Sequence, residues 1–131
     1  ARKFLKKYGL DYPHGTGHGV GYFLNVHEGP IAISKGYKIK LKPGHVISNE
    51  PGFYKKGKFG IRIENMIYVK QIKSKVFFEN LTMVPIDKEL INFNLLNKKE
   101  KNYLLNYNLR IYSNVEKYLN YKEKFWLLSQ F

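Results

Sequence analysis

The 131 residues carry 23 Lys and Arg against 10 Asp and Glu, a formal net charge of +13, and no cysteine. Disulfides and thiolate metal sites are therefore excluded, and no apolar run approaches the roughly 20 residues that span a bilayer. The positive charge is nearly all lysine, spread along the chain without a recognised nucleic-acid motif, so it reads as a solvated surface, with no specific nucleic acid and no membrane expected as partners.

The length suits one domain, or part of a larger one, burying roughly two thirds of the surface of its unfolded chain. Arg2 to Tyr8 is compatible with the last turns of a helix, with Phe4, Leu5 and Tyr8 as its apolar stripe and Gly9 as its stop. No capping residue and no initiator methionine stand ahead of it. The chain is accordingly expected to be a fragment of a longer polypeptide. Asp11-Tyr12-Pro13 breaks this helix and leads in extended form, as a residue before proline prefers, into His14-Gly15-Thr16-Gly17-His18-Gly19-Val20-Gly21.

Glycine at every second position from Gly15 to Gly21 puts His14, Thr16, His18 and Val20 on one face of an extended backbone, and leaves the other face bare for a close approach. Histidines four apart on a helix are a familiar zinc pair. Here each glycine would cost a helix about 1 kcal/mol, and in extended chain the two imidazoles stand roughly 13 Å apart at about 3.3 Å per residue. The expectation is therefore one metal ligand and one histidine facing substrate or supporting the ligands. A phosphate-binding loop does not fit, because Val20 occupies the place of the last glycine of a Gly-x-Gly-x-x-Gly that begins at Gly15.

Beyond it, Tyr22-Phe23-Leu24 reads as a short buried run and Glu28-Gly29-Pro30 as a turn. Lys38 to Lys42 alternates as a strand, Pro43-Gly44 turns, and His45 to Glu50 forms a strand with Val46, Ser48 and Glu50 on one side. Phe53 to Lys56 and Phe59 to Val69 read as a hairpin around Lys56-Gly57-Lys58, its second arm carrying Arg62 and Glu64 opposite Ile61 and Ile63. Val76 to Met83 suggests a last strand, ended by Pro85. From Asp87 the period becomes helical, with Leu95, Tyr103, Leu104, Tyr107, Ile111, Val115 and Leu119 along one stripe and Tyr121 to Phe131 as a final short helix with Trp126.

A carboxylate inside an apolar strand is expensive unless a cation meets it, which singles out Glu64. With His18 and Glu50 it makes one imidazole and two carboxylates, donors that suit Mn, Co or Zn. Arg62, on the same strand face, is placed to orient a carboxylate.

Four stretches, His14-Gly-Thr-Gly-His18-Gly-Val-Gly, Leu24-Asn25-Val26-His27-Glu28-Gly29-Pro30, Ser48-Asn49-Glu50-Pro51-Gly52-Phe53-Tyr54 and Gly60-Ile61-Arg62-Ile63-Glu64-Asn65, resemble in order and spacing the C-terminal half of the catalytic domain of Xaa-Pro aminopeptidases (aminopeptidase P). Leu81-Thr82-Met83-Val84-Pro85-Ile86 resembles the following segment of the cytosolic-type, three-domain members. The resemblance covers Ala1 to about Lys99.

It implies an α/β (α+β) pita-bread fold, with strands followed by C-terminal helices. Residues 1–86 would form the C-terminal half of the metallopeptidase domain and residues 87–131 its helical extension. It further implies two divalent metal ions, usually Mn2+ with Co2+ or Zn2+ possible. His18 and Glu50 would be metal ligands, Glu50 also the proton shuttle, and Glu64 the bridging carboxylate. His14 and His27 match substrate-side histidines that meet the scissile peptide, and Arg62 and Tyr54 match positions that orient the ligands. The family's two aspartate ligands and a further histidine belong to upstream strands, and Asp11 and Asp87, the aspartates present here, lie in no such motif.

The implied partners are peptides with proline in second position, the upstream half of the same domain and a second copy in a homodimer. The implied place is the cytoplasm, with vacuolar or secretory targeting left open. Methionine aminopeptidases and prolidases share this fold and its ligand types, and a metal-free module with the same groove would bind a peptide or protein without cleaving it.

Overall fold

The structure, a computed structural model, describes residues 1–23 and 25–131. It divides into two compact units, Ala1–Thr82 and Met83–Phe131. The first opens with α1 (Lys3–Lys7), which has no side-chain cap at Arg2 and ends before Gly9 at φ +68°. That left-handed conformation is cheap only for glycine. Among the described residues, seven short strands follow: β1 (Gly17–His18), β2 (Ala32–Ile33), β3 (Val46–Asn49), β4 (Gly52–Lys55), β5 (Phe59–Arg62), β6 (Asn65–Ile72) and β7 (Lys75–Asn80). They form an antiparallel β1–β2 pair, a three-stranded antiparallel sheet in the order β3-β6-β7, and a β4–β5 hairpin.

The glycine-rich stretch lies between two backbone segments. On one side Gly19 N donates to Ile31 O at 2.9 Å and Glu28 N donates to Gly19 O at 3.0 Å; on the other Glu50 N donates to Thr16 O at 2.7 Å. A Cβ added at Gly17 would stand 1.9 Å from Ser48 O, and one at Gly19 would stand 2.1 Å from Glu28 O. The bare positions thus admit the chain's own backbone. This is how β1 reaches β3, where Ile47 is fully buried beside Ile67 and Val69 on β6.

Several expectations need correction. Lys38 to Lys42 belongs to no strand; only Leu41 in it is half-buried, and an alternating pattern without a neighbouring edge has no ladder to join. Tyr22 and Phe23 are 92% and 90% exposed rather than buried, and Leu24 lies outside the described residues. The second hairpin arm is two strands. β5 pairs with β4 only to Arg62, and after Ile63 and Glu64 the chain leaves for β3, pairing as Asn49 with Asn65. Glu64 therefore sits exposed at the junction between sheets and not inside a strand.

In the second unit, 3-10 turns at Lys88–Leu90 and Phe93–Leu95 precede α2 (Lys98–Val115), which a further turn at Glu116–Tyr118 joins to α3 (Tyr121–Ser129). Both helices begin with a reciprocal capping box, Asn97 with Glu100 and Asn120 with Glu123, so that free N–H groups of the first turn are satisfied by side chains. Tyr107, Ile111 and Leu127 form the core, with Val115 and Leu119 packed against it. Leu95 and Tyr103 depart from the expected stripe. Leu95 lies in the turn before the helix, 80% exposed, and Tyr103 stacks on Tyr107 at the edge of the core, 59% exposed.

Candidate metal centre

Elements distant in sequence bring three donors together. His18 comes from β1, Glu50 from the residue after β3, and Glu64 from the β5–β6 junction. Each offers one ligand atom, and these atoms all lie within 4.8 Å of one another. His14 is not in the group.

The hydrogen bonds prepare His18 for a cation. Its Nδ1 lies 2.9 Å from Gly19 O, an acceptor only, so the proton belongs on Nδ1 and the lone pair on Nε2. That lone pair faces Glu50 Oε1 at 3.4 Å. Two acceptors thus face each other across a gap, and a carbonyl-anchored imidazole beside a carboxylate is the arrangement that metal-binding histidines adopt. The donor set fits a divalent ion of the Mn, Co or Zn type.

Glu50 is 8% exposed and held on all sides. Ser48 Oγ donates to its Oε1 at 3.2 Å, and Arg62 Nη1 stands 3.4 Å from its Oε2. Ser48, fully buried, also accepts from His18 N at 3.0 Å and so couples the strands that carry the two ligands. In the sequence, the signal for Ser48 is its place on the same strand face as Glu50, two residues from a candidate ligand.

Tyr54 and Arg62 meet where expected. A Cβ at Gly52 or Gly60 would stand 2.6 Å or 2.7 Å from Tyr54 ring atoms or its hydroxyl, so the ring rests across the two bare positions of the β4–β5 hairpin. Its hydroxyl accepts from Arg62 Nε at 2.9 Å and lies 2.8 Å from His14 Nε2. His14 Nδ1, 2.7 Å from Gly15 O, carries the proton, so Tyr54 donates to Nε2. The result is a directed chain from Arg62 through Tyr54 to His14. The bond to Tyr54, and then the charges of Glu50 and Glu64, hold the Arg62 guanidinium above its ordinary pKa. It stays a cation.

His27 is exposed, with its ring centroid 4.1 Å from that of His18. His14, His18, His27, Glu50 and Arg62 line one cavity of about 330 Å³. Tyr37 also lines it, from a stretch in which no motif marked it out. All seven residues expected at the site are therefore drawn into one neighbourhood: five line the cavity, Glu64 joins the ligand group, and Tyr54 bridges His14 and Arg62.

The sequence profile of metallopeptidase family M24 matches residues 1–71, and that of the C-terminal region of peptidase M24 matches residues 75–130. The chain belongs to metallopeptidase family M24. The probable Xaa-Pro aminopeptidase P of Botryotinia fuckeliana is 55% identical to this M24 chain over 124 residues, which cover 86% of the chain and 19% of the relative. The crystal structure of the X-prolyl aminopeptidase from Caenorhabditis elegans, a cytosolic enzyme with a di-nuclear active site, matches with a TM-score of 0.85 and 41% identity over 98% of the chain and 23% of its own. The prolidase from Pyrococcus furiosus matches with a TM-score of 0.53 and 37% identity over 62% of the chain and 23% of its own. The M24 chain thus spans about a fifth of the length of the curated relatives it matches. The α/β pita-bread fold expected from the sequence is the one it shares with its M24 relatives.

Proposed function

We propose that this M24 chain forms the C-terminal half of the catalytic domain of a metal-dependent Xaa-Pro aminopeptidase, which hydrolyses the bond between an N-terminal residue and a penultimate proline. The observation that carries this reading is the convergence of His18, Glu50 and Glu64 in a chain whose relatives include an X-prolyl aminopeptidase with a di-nuclear active site. His18 Nε2 and the carboxylates of Glu50 and Glu64 would hold the divalent ions, with Glu64 the ligand shared between them, manganese the favoured metal and cobalt or zinc the alternatives. When bound, such ions supply a nucleophile at neutral pH by lowering the pKa of a water. Glu50 takes up and returns the proton, His27 donates to the scissile carbonyl oxygen as charge develops there, and His14, steadied by Tyr54 and Arg62, contacts the substrate.

Residues 1–86 supply this half-site and residues 87–131 its helical extension. The two upstream aspartates and the upstream histidine come from the other half of the domain. Support for such a partner half lies in Ile61 and Ile63, which are 39% and 47% exposed beside the ligand-bearing junction; apolar surface of this kind marks a face that another segment covers. The C-terminal helices pair two copies into a homodimer, a reading supported by Tyr121 and Phe125 on α3 at 84% and 69% exposure. The enzyme works in the cytoplasm, as the Caenorhabditis elegans relative does.

A substrate panel tests the activity. The complete polypeptide, supplied with Mn2+, should release the first residue of a tripeptide with proline in second position and leave a Met-Ala peptide intact. Preference for an Xaa-Pro dipeptide would make it a prolidase, cleavage of Met-Ala a methionine aminopeptidase, and cleavage of none a binding module.

A further inference from the structure

We propose that Arg2, at the start of α1, is a positioning residue for His14, fixing the backbone from which that imidazole reaches the cavity. The inference rests on the reading of His14 as a substrate-side group. The local problem is one of backbone. His14 sits between Pro13, which has no N–H to donate, and Gly15, which has no side chain to pack. The carbonyls of Tyr12 and His14 accept no backbone N–H among the described residues; the first such bond here is Thr16 N to Ile33 O at 2.8 Å. Without a side-chain donor, these two carbonyls have no hydrogen bond among the described residues.

Arg2 provides that donor. Its Nη1 donates to Tyr12 O at 2.8 Å and to the Asp11 carboxylate, and its Nη2 donates to His14 O. The guanidinium carbon also lies 3.8 Å from the centroid of the Tyr12 ring. Tyr12 in turn is 3% exposed, shares a 2.6 Å hydrogen bond with Thr16 Oγ1, and has its ring centroid 4.8 Å from that of His14. One planar fork therefore grips the main chain on both sides of Pro13 and holds down the ring on which His14 leans. Asp11 keeps the fork in place. The Tyr12 N–H, and then Arg2, hold its carboxyl below the usual carboxylate range, so it remains an anion facing Arg2 at neutral pH. A lysine could not replace the fork, because a single ammonium has no rigid planar pair of donors.

The test uses the complete polypeptide in wild-type form and with R2A, R2K, H14A and R2A/H14A. R2A should lower kcat for an Xaa-Pro tripeptide about 10- to 100-fold, the scale on which a small misplacement of a catalytic group acts, with KM and metal content little changed. R2K should fall between. Because Arg2 acts through His14, R2A/H14A should be no slower than H14A. A readout independent of activity is the imidazole 15N spectrum. R2A and R2K should disturb the His14 signals of a ring protonated on Nδ1, and leave those of His18 unmoved. Additive losses in the double variant, full activity in both R2A and R2K, or His14 signals unchanged in both would overturn the proposal. If the wild type cleaves no Xaa-Pro peptide, the proposed function fails, while the His14 spectrum still decides whether Arg2 positions that ring.

Discussion

Gly17 sets how closely the histidine-bearing strand approaches the carboxylate-bearing one. Its missing side chain leaves room for Ser48 O, which would otherwise lie 1.9 Å from a Cβ, and that closeness lets Ser48 Oγ reach both His18 N and Glu50. The Ser48 backbone cannot yield as a flexible side chain can. Gly17→Ala should therefore cost at least about 3 kcal/mol, the upper end of overpacking losses. Gly15→Ala, whose Cβ would meet Ser34 atoms at 3.4 Å, should be close to neutral. Denaturant unfolding of the two variants checks this, and equal midpoints would show that β1 and β3 are not held as described. At this scale the sequence was informative. The alternating glycines announced a close approach, and the types and order of His18, Glu50 and Glu64 singled out three candidate donors that the fold brings together. It could not tell that the approaching group would be a carbonyl of the same chain, because that depends on which strand docks against the bare face. Nor did it reveal Tyr37, which sits in the cavity through the path of its loop.

Elements were legible where the periodic pattern had a partner to pack on. The stripe through Tyr107, Ile111 and Val115 became the buried side of α2, and the hairpin turn fell at Gly57, at φ +69°. Lys38 to Lys42 shows the same alternation as a strand but meets no edge, and the arm from Phe59 to Val69 reads as one strand yet serves two sheets. Both outcomes are set by long-range pairing, which alternation alone does not encode. The boxes Asn97-x-x-Glu100 and Asn120-x-x-Glu123 cap both helices in the structure; they are local signals for helix starts that the helical period alone does not locate. In the second unit the buried core is small, so each member counts. Ile111, 1% exposed between Tyr107 and Leu127, should cost about 2–5 kcal/mol on replacement by alanine. Loss of helical circular dichroism at lower temperature in Ile111→Ala would register it, and an unchanged transition would mean that these helices are held by something other than this core.

At the scale of the whole molecule, the proposed function makes this chain the supplier of part of a site. Its first unit exposes Phe59, Ile61 and Ile63 on and beside the hairpin that leads to Glu64, and the relatives it matches are about five times as long. Three donors within 4.8 Å are few for two ions, since even one tetrahedral ion takes four. On that proposal the net charge of +13 adds to the cost of gathering cations at these donors, and the acidic ligands of an upstream half would offset it. The most direct test is manganese stoichiometry by equilibrium dialysis, on this chain alone and on the complete polypeptide, each with and without Glu64→Ala. The account predicts two ions bound by the complete polypeptide, as in a di-nuclear relative, weak or no binding by the chain alone, and loss of the pair in Glu64→Ala. Two ions retained by the Glu64→Ala variant, or none bound by the complete polypeptide, would contradict it.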